Sequence, residues 1–370
     1  MSIHTVEPAY HPNSKMSFLA EWLVTMKCNY DCAYCPIGPL GHDNSTQHPS
    51  VEKSLIMLDQ IYSYVDVVMA HKKPTSKDVV MHLLGGEVVY HPQIILLMKQ
   101  SSERYEKYKD KWNLKRRLTT NGTATPKKWE LICQHVEGIT MSYHSTGPDK
   151  LKKCFKTNLL HLNDIKKEHD LIVLMYPHKD HWKDCIEFLS WAKGNNINAR
   201  PKILDGPLGV YNKEHLQDLS EFLDPAELVN WDTDKRADHQ ARACCGGRRI
   251  CFNRNLKDHK VLVPREPGFK GWHCSANQFF LHGNNVTGLY YTNHDCSVRL
   301  DGTRGPLADI QTMPAHIQDM KKQSVLPTLV CAQDKCQCGV CAPKSMDKER
   351  LMEIMRIYNK PMGVDSVTVR

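Results

Sequence analysis

Long apolar runs are missing from this chain of 370 residues. No stretch approaches the roughly 20 consecutive apolar residues that a membrane-spanning helix needs. The segment from Met1 to Lys15 also lacks the apolar core of a secretory signal. These absences exclude an integral membrane protein and a secreted one, so we expect a cytoplasmic protein with no membrane partner.

Internal repeats, low-complexity segments and a disulfide framework are missing as well. The 15 cysteines are an odd number, spread over a long chain without a secretory signal. Such cysteines are expected to bind iron–sulfur clusters or zinc rather than to form disulfides. With 41% hydrophobic and 24% charged residues the composition is globular, and the length suffices for one full-sized domain and a smaller one.

The charge balance leaves two interpretations open. The net charge is +8, and 20 histidines are present besides. A basic surface can favour nucleic acid, nucleotides or acidic peptides. It can equally be a solvated surface on which basic residues slightly outnumber acidic ones.

Three closely spaced cysteines are the most informative feature present. Cys28, Cys32 and Cys35 have the spacing C-x3-C-x2-C. Three thiolates can hold three corners of a 4Fe–4S cube and leave one iron open, whereas ferredoxins close all four positions. The run follows a predicted strand, 18–24, at the strand end where α/β barrels keep their active sites. The alternatives are a zinc site and three unrelated buried thiols. Zinc sites usually add a second cysteine pair or histidines nearby, and residues 36–50 contain no second cysteine pair.

The triplet resembles the signature of the radical S-adenosylmethionine (radical SAM) enzymes, in which an aromatic residue, here Tyr34, usually precedes the third cysteine. The resemblance implies that the amine and carboxylate of SAM chelate the open iron. One electron, delivered by a reductant such as flavodoxin or ferredoxin, then cleaves SAM to a 5′-deoxyadenosyl radical.

Strands and helices alternate after the cysteine loop. The patterns predict strands at 18–24, 78–84, 115–120, 138–143, 171–176 and 197–204, with helices between them. Such alternation implies a parallel sheet with right-handed crossovers. The six units resemble the partial (β/α)6, TIM-like barrel of radical SAM enzymes over residues 16–205.

The second predicted strand runs into Gly85, Gly86 and Glu87. Glycines let a backbone approach a ligand closely, and the glutamate brings a carboxylate to the same loop. By resemblance, this GGE element hydrogen-bonds the amine of SAM. A plain strand-end turn is the alternative.

Two further strand ends carry polar residues. Thr120 and Asn121 precede a glycine and resemble the TNG element near the SAM site, although Asn-Gly also makes ordinary tight turns. Ser142 and His144 end the next strand. By resemblance they bind SAM, while His144 could instead contact the substrate or be structural.

Beyond the barrel the pattern becomes irregular. We expect a helical linker at 206–243, a cysteine-rich α+β domain at 244–345, and a helix and tail at 346–370. A hairpin turn is expected at Gly283-Asn284-Asn285.

The C-terminal cysteines resemble the SPASM and twitch extensions of radical SAM enzymes, which carry auxiliary 4Fe–4S clusters. The residues concerned are Cys274, Cys296, Cys331, Cys336, Cys338 and Cys341. The resemblance implies one or two auxiliary clusters; the spacing departs from the SPASM pattern C-x2-C-x5-C-x3-C, and a four-cysteine zinc knuckle is the alternative. Cys244, Cys245 and Cys251 could add ligands or belong to a loop that holds an anionic substrate.

The expected function is that of a radical SAM enzyme removing a hydrogen atom from a bound peptide or amino-acid-derived group. Only 27 residues precede Cys28, which is too few for the N-terminal peptide-recognition domain of many relatives. The basic charge keeps a nucleotide or nucleic-acid substrate open. A non-enzymatic zinc or iron–sulfur module is the alternative of another class, against which the GGE and TNG elements argue.

Overall fold

The computed structural model describes most of the predicted barrel and parts of the C-terminal region. The described residues are 5–6, 18–35, 48–72, 77–165, 167–204, 210–223, 228, 270–292, 304–332 and 344–358. The strands are β1 (Thr5–Val6), β2 (Phe18–Thr25), β3 (Asp78–Gly85), β4 (Asn113–Thr120), β5 (Gly138–His144), β6 (His169–Met175), β7 (Ala199–Ile203), β8 (His273–Cys274), β9 (Phe280–Asn284), β10 (Leu289–Tyr291), β11 (Ala308–Asp309), β12 (Leu329–Val330) and β13 (Lys344–Ser345). The helices are α1 (Val51–Ala70), α2 (Ile94–Tyr105), α3 (Pro126–Cys133), α4 (Asp149–Asp164), α5 (Lys179–Gly194), α6 (Lys213–Leu219), α7 (Met313–Lys321) and α8 (Lys348–Tyr358).

The six strands β2 to β7 lie side by side in chain order, and each neighbouring pair is parallel. Helices α1 to α5 fall in the five connections between them, with α2 preceded by a short 3-10 turn at Val88–Tyr90. Among the described residues β7 pairs with β6 alone, so the sheet stays open at that edge. The predicted parallel sheet of six β/α units is therefore confirmed.

The two faces of β2 differ in chemistry because alternate residues of a strand point to opposite sides. Phe18, Ala20 and Trp22 are fully buried in the main hydrophobic core, which they share with residues of helices α1 to α5. Glu21 and Thr25 point to the other face. Burying aromatic and aliphatic groups under the helices leaves the polar residues for the opposite face of the sheet.

Local signals define where the helices begin. The side chain of Ser50 accepts a hydrogen bond from the Lys53 amide and caps α1. Thr125 does the same for the Lys128 amide at the start of α3, where Pro126 occupies the first turn. Each cap satisfies an amide that the helix itself leaves unpaired.

A C-terminal hairpin extends the barrel sheet. Strand β9 pairs in parallel with β2, from Leu19 opposite Phe280 to Leu23 opposite Asn284. Strands β10 and β11 follow in antiparallel order, so that nine strands of the described segments form this sheet. The expected domain boundaries remain a prediction, but backbone hydrogen bonds connect residues 280–284 directly to the barrel.

The hairpin turn lies later than expected from Gly283-Asn284-Asn285. Gly283 and Asn284 belong to β9, and the turn spans 285–288. The side-chain oxygen of Asn284 accepts hydrogen bonds from the amides of Val286 and Thr287. Gly288 has φ +78°, a conformation that favours glycine. This Asx-type turn places the chain reversal after Asn284.

A second, four-stranded sheet has the strand order β1-β13-β8-β12. It joins segments from both ends of the chain, because Thr5 pairs with Ser345. Across the described part of the chain, every helix is too short or too polar to cross a membrane.

Helix α1 holds the hairpin through buried hydrogen bonds. The hydroxyl of Tyr290 donates to Oε1 of Gln60 at 2.5 Å, and Nε2 of Gln60 donates to the Ile310 carbonyl at 2.8 Å. Tyr290 is fully buried. A buried acceptor that loses its donor pays the full cost of its desolvation.

We expect Tyr290→Phe to lower the free energy of unfolding by about 1–3 kcal/mol, because it leaves Oε1 of Gln60 without its donor. Chemical denaturation of anaerobically prepared protein measures this change. The matched control is Tyr291→Phe, since the described residues offer no hydrogen-bond partner to that hydroxyl. Equal stability of the two variants would contradict the assigned role of Tyr290.

Candidate active site

Three strand-end segments meet at the C-terminal edge of the barrel sheet. The cysteine loop follows β2, the GGE segment follows β3, and the TNG segment follows β4. The amide of Gly86 donates to the Thr25 carbonyl at 2.9 Å, and the amide of Glu87 donates to the Lys27 carbonyl at 2.8 Å. These two bonds hold the GGE backbone against the residues that lead into Cys28.

The glycines of the GGE segment allow this close approach. A Cβ at Gly86 would lie 2.5 Å from the carbonyl oxygens of Met26 and Lys27, and one at Gly85 would collide with the Thr25 carbonyl. Real Cβ atoms do not come so near to backbone oxygens. The described residues thus give these glycines a role in packing two protein backbones, whereas the sequence suggested approach to a ligand.

Glu87 is buried, with 1% of its surface exposed, and its carboxylate joins the second loop to the third. Oε1 accepts hydrogen bonds from the Val89 amide at 2.9 Å and the Thr120 hydroxyl at 2.8 Å. Oε2 accepts one from the Asn121 amide at 2.5 Å. Burial raises the pKa of Glu87 to about 7, although these donors and Lys128 lower it. A carboxylate offers about four acceptor positions, so one remains on Oε2.

The side chain of Asn121 holds the third loop to the cysteine loop. Its Nδ2 donates to Oδ1 of Asn29 at 2.7 Å, and Nδ2 of Asn29 donates to the Thr123 hydroxyl at 2.8 Å. That hydroxyl donates to Oδ1 of Asn121 at 2.7 Å, which closes a ring of three side chains. Nδ2 of Asn121 also lies 3.9 Å from Sγ of Cys28.

Burial disfavours the thiolate forms of two cysteines of the triplet. It raises the pKa of Cys28 to about 12, and the charges of Glu87 and Cys32 raise it further, although a hydrogen bond from the Tyr30 amide lowers it. Burial also raises the pKa of Cys32, while hydrogen bonds from Thr146 and Tyr34 lower it. A bound metal removes the proton from a coordinating thiol outright. The thiolates of Cys28 and Cys32 would therefore be stabilised by a cationic group bound beside them.

Zinc and a 4Fe–4S cluster place different demands on three cysteines. A zinc ion binds each thiolate directly at about 2.3 Å. A cubane binds each thiolate through a different iron. Within the described ranges, no three His, Cys, Asp or Glu side chains are grouped so that they could hold one metal ion. A cluster rather than a zinc ion at Cys28, Cys32 and Cys35 therefore stays a prediction from their spacing.

Aromatic rings line the other side of the cysteine loop. The ring of Tyr34 stacks on His144 with an angle of 6° between planes, and it meets Tyr176 edge-on at 5.2 Å. Tyr176 in turn stacks on His181 at the start of α5. Ser142 is buried and lies two residues before His144 on the same face of β5. These rings form a wall next to the triplet.

Several residues of this site were not predicted from the sequence. Asn29 and Thr123 lie within or directly after the motifs and Tyr176 ends a predicted strand, but no role was predicted for these residues that connect the loops or build the wall. Thr146 follows His144 closely and donates to Sγ of Cys32 at 3.2 Å. Their closeness in sequence to the motifs was the one indication that they belong to the site. The contacts themselves join different loops, so no single strand-end segment predicts them.

Two of the C-terminal cysteines share one face of the second sheet. Cys274 lies opposite Leu329 in the antiparallel pair of β8 and β12. The Cys331 amide donates to the Trp272 carbonyl at 2.8 Å, so the pairing continues by one residue on each side. Alternation places the side chains of Cys274 and Cys331 on the same face. Cys296, Cys336, Cys338 and Cys341 lie outside the described residues, as do Cys244, Cys245 and Cys251.

Neither a protein-family model nor a curated protein matches the sequence. Solved structures align at low identity. Native anSMEcpe with bound AdoMet and Cp18Cys peptide is 13% identical, with a TM-score of 0.44 over 83% of this chain and 80% of that one. BtrN in complex with AdoMet and 2-DOIA is 13% identical, with a TM-score of 0.37 over 84% and 83%. HydG, the FeFe-hydrogenase maturase from Carboxydothermus hydrogenoformans, is 13% identical, with a TM-score of 0.31 over 59% and 56%. Likenesses of this degree leave the function to be argued from the residues.

Replacing Gly86 by alanine tests the contact between the first two loops. The new Cβ would push the backbone of Met26 and Lys27 away, and with it the adjoining Cys28. We expect Gly86→Ala to lower both the melting temperature and the iron bound after anaerobic reconstitution. The control is Gly194→Ala at the end of α5, where a Cβ meets nothing within 4 Å. Full iron content in both variants would show that the contact does not shape the cysteine loop.

The burial of His91, four residues after Glu87, leads to a prediction of how stability depends on pH. His91 is 1% exposed; its Nδ1 accepts from the Gln93 amide, so Nε2 carries the hydrogen that faces the Pro49 carbonyl. Burial lowers the pKa of His91 to about 4, and the positive charges of His48 and Lys128 lower it further.

The unfolded chain, with a histidine pKa of about 6.5, therefore binds more protons than the folded one between pH 4 and 6.5. The free energy of unfolding should fall as the pH drops through this window. His91→Asn should flatten the fall by at most about 1.4 kcal/mol per pH unit. The measurement is the free energy of unfolding of both proteins between pH 4 and 6.5, and parallel pH profiles of the wild type and the variant would refute this prediction.

Proposed function

We propose that the protein is a radical SAM enzyme that removes a hydrogen atom from a bound peptide or amino-acid-derived group. The observation that carries this proposal is the hydrogen-bonded junction of the three strand-end segments. Glu87 connects the GGE and TNG segments, and Asn121 reaches the cysteine loop. A zinc or iron–sulfur module without catalytic activity would have no need for two further strand-end elements at its cysteine loop.

The triplet Cys28, Cys32 and Cys35 would hold the SAM-binding 4Fe–4S cluster. When bound, that cluster supplies the electron that cleaves SAM. A reductant such as flavodoxin or ferredoxin would deliver this electron. The three cysteines leave one iron without a protein ligand, which is the position available to the SAM amine and carboxylate.

The protein residues around the triplet would bind and orient SAM. Glu87 has one acceptor position left on Oε2, which suits the SAM amine. The stacked rings of Tyr34 and His144 would border the bound SAM on the side of the triplet. Thr120 acts through Glu87, while Gly85 and Gly86 let the first two loops meet. Ser142 lies on the same face as His144 and is assigned to SAM as well.

The C-terminal cysteines would bind one or two auxiliary clusters. Cys274 and Cys331, buried on one face of the second sheet, are the described part of that ligand set. An auxiliary cluster there would either carry off an electron from the substrate or help to position it. A peptide-derived substrate agrees with the SPASM-like arrangement. The net charge of +8 supports the nucleotide alternative, so nucleotides should be tested as substrates together with peptides.

The test is the triple variant Cys28→Ala, Cys32→Ala and Cys35→Ala. Wild-type protein, reconstituted without oxygen, should convert SAM to 5′-deoxyadenosine when a reductant is added. The triple variant should make none, because no open iron remains. It should also lose about four irons, the content of one 4Fe–4S centre, and keep those of the auxiliary clusters.

The matched control is Cys133→Ala, which removes a half-buried thiol from α3. This variant should keep full iron content and full SAM cleavage. Deoxyadenosine formation by the triple variant would refute the proposal. Zinc in place of iron in the wild type would favour the binding-module alternative.

A further inference from the structure

The thiol of Cys32 lies beside three side chains from the end of β5 and from its own loop. The Thr146 hydroxyl donates to Sγ of Cys32 at 3.2 Å. Nδ1 of His144 lies 3.5 Å from the same sulfur and 3.2 Å from the hydroxyl of Tyr34. The imidazole nitrogen is thus closer to Tyr34, and Thr146 makes the shortest contact with the sulfur.

The turn that carries Thr146 is held rigidly against the cysteine loop. The amide of Gly147 donates to the His144 carbonyl at 3.0 Å, which closes the turn after β5. A Cβ at Gly147 would lie 2.7 Å from the ring of Tyr30, so the turn packs directly under that ring. The backbone of this turn therefore keeps the Thr146 hydroxyl next to Cys32, at 3.2 Å, with the Tyr34 hydroxyl farther away at 3.5 Å.

Hydrogen bonds to ligating sulfurs are one of the means by which a protein sets the reduction potential of a cluster. Reduction adds negative charge to the cluster and its thiolates, and a donor at the sulfur stabilises that charge. The effect is stronger at a buried sulfur such as Cys32, because the local dielectric constant is low.

We propose that Thr146 is a positioning residue of the active site whose hydrogen bond to Cys32 raises the reduction potential of the cluster held by the triplet. This inference rests on the proposed function. One electron enters from the external reductant, and no bond is made or broken at Thr146. Without this bond, the reductant would reduce a smaller fraction of the enzyme.

The experiment compares Thr146→Val with the wild type in a potentiometric titration followed by electron paramagnetic resonance. The signal to follow is that of the cluster at the triplet. It is identified as the signal that the variant without Cys28, Cys32 and Cys35 lacks. We expect the ratio of reduced to oxidised cluster at a fixed potential to fall about tenfold in Thr146→Val, which corresponds to 59 mV for one electron. Thr146→Ser keeps the hydroxyl and should restore the wild-type ratio.

Two further variants make the outcome decisive. Thr157→Val removes a threonine hydroxyl on α4 that donates to the Lys153 carbonyl, and it should leave the ratio unchanged. Thr146→Ala serves in place of valine if the valine variant binds less iron. If Thr146→Val and Thr146→Ala bind the full iron content and keep the reduction potential of the wild type, this inference is overturned and the proposed function is not. A wild-type protein that binds no cluster at the triplet would overturn the proposed function with it.

Discussion

The close contact between the backbones of the first two strand ends is the constraint on which the rest of the site depends. Gly85 and Gly86 have no side chain, so the chain leading into Cys28 can approach within hydrogen-bonding distance of the β3 end. That approach brings Glu87 to the amide of Asn121. The direction of the cysteine loop, and hence of the triplet, follows from a backbone contact that a single methyl group would prevent.

Buried acidic groups lie close together at the ends of β2 and β3. Glu87 and Cys32 are buried and Cys28 is half-buried, and burial raises the pKa values of Cys28 and Glu87. Groups of this kind are stable in their charged forms only with hydrogen-bond donors or cations beside them. Glu87 accepts three hydrogen bonds from the protein. Cys28 accepts one from the Tyr30 amide at 3.4 Å, and Cys32 accepts one from the Thr146 hydroxyl at 3.2 Å. The protein thus stabilises its buried carboxylate with more donors than it gives to either sulfur.

Two segments of the described C-terminal region join the barrel directly. Strand β9 pairs with β2, and His282 lies 3.3 Å from the buried carboxylate of Glu21 across that seam. Tyr290 and Gln60 connect the same hairpin to α1. Changes in the C-terminal region can therefore reach β2, whose end leads into the cysteine loop.

The sequence by itself determined the order of the β/α units and the polar and cysteine residues at the strand ends. Hydrophobic periodicity and turn residues are local, and parallel strands place their carboxyl ends at one edge. Only the tertiary structure decided the partners of Glu87, the ring of Asn29, Asn121 and Thr123, and the pairing of β9 with β2. These are contacts between segments far apart in the chain. They depend on backbone approach and side-chain direction in three dimensions, which no local pattern encodes.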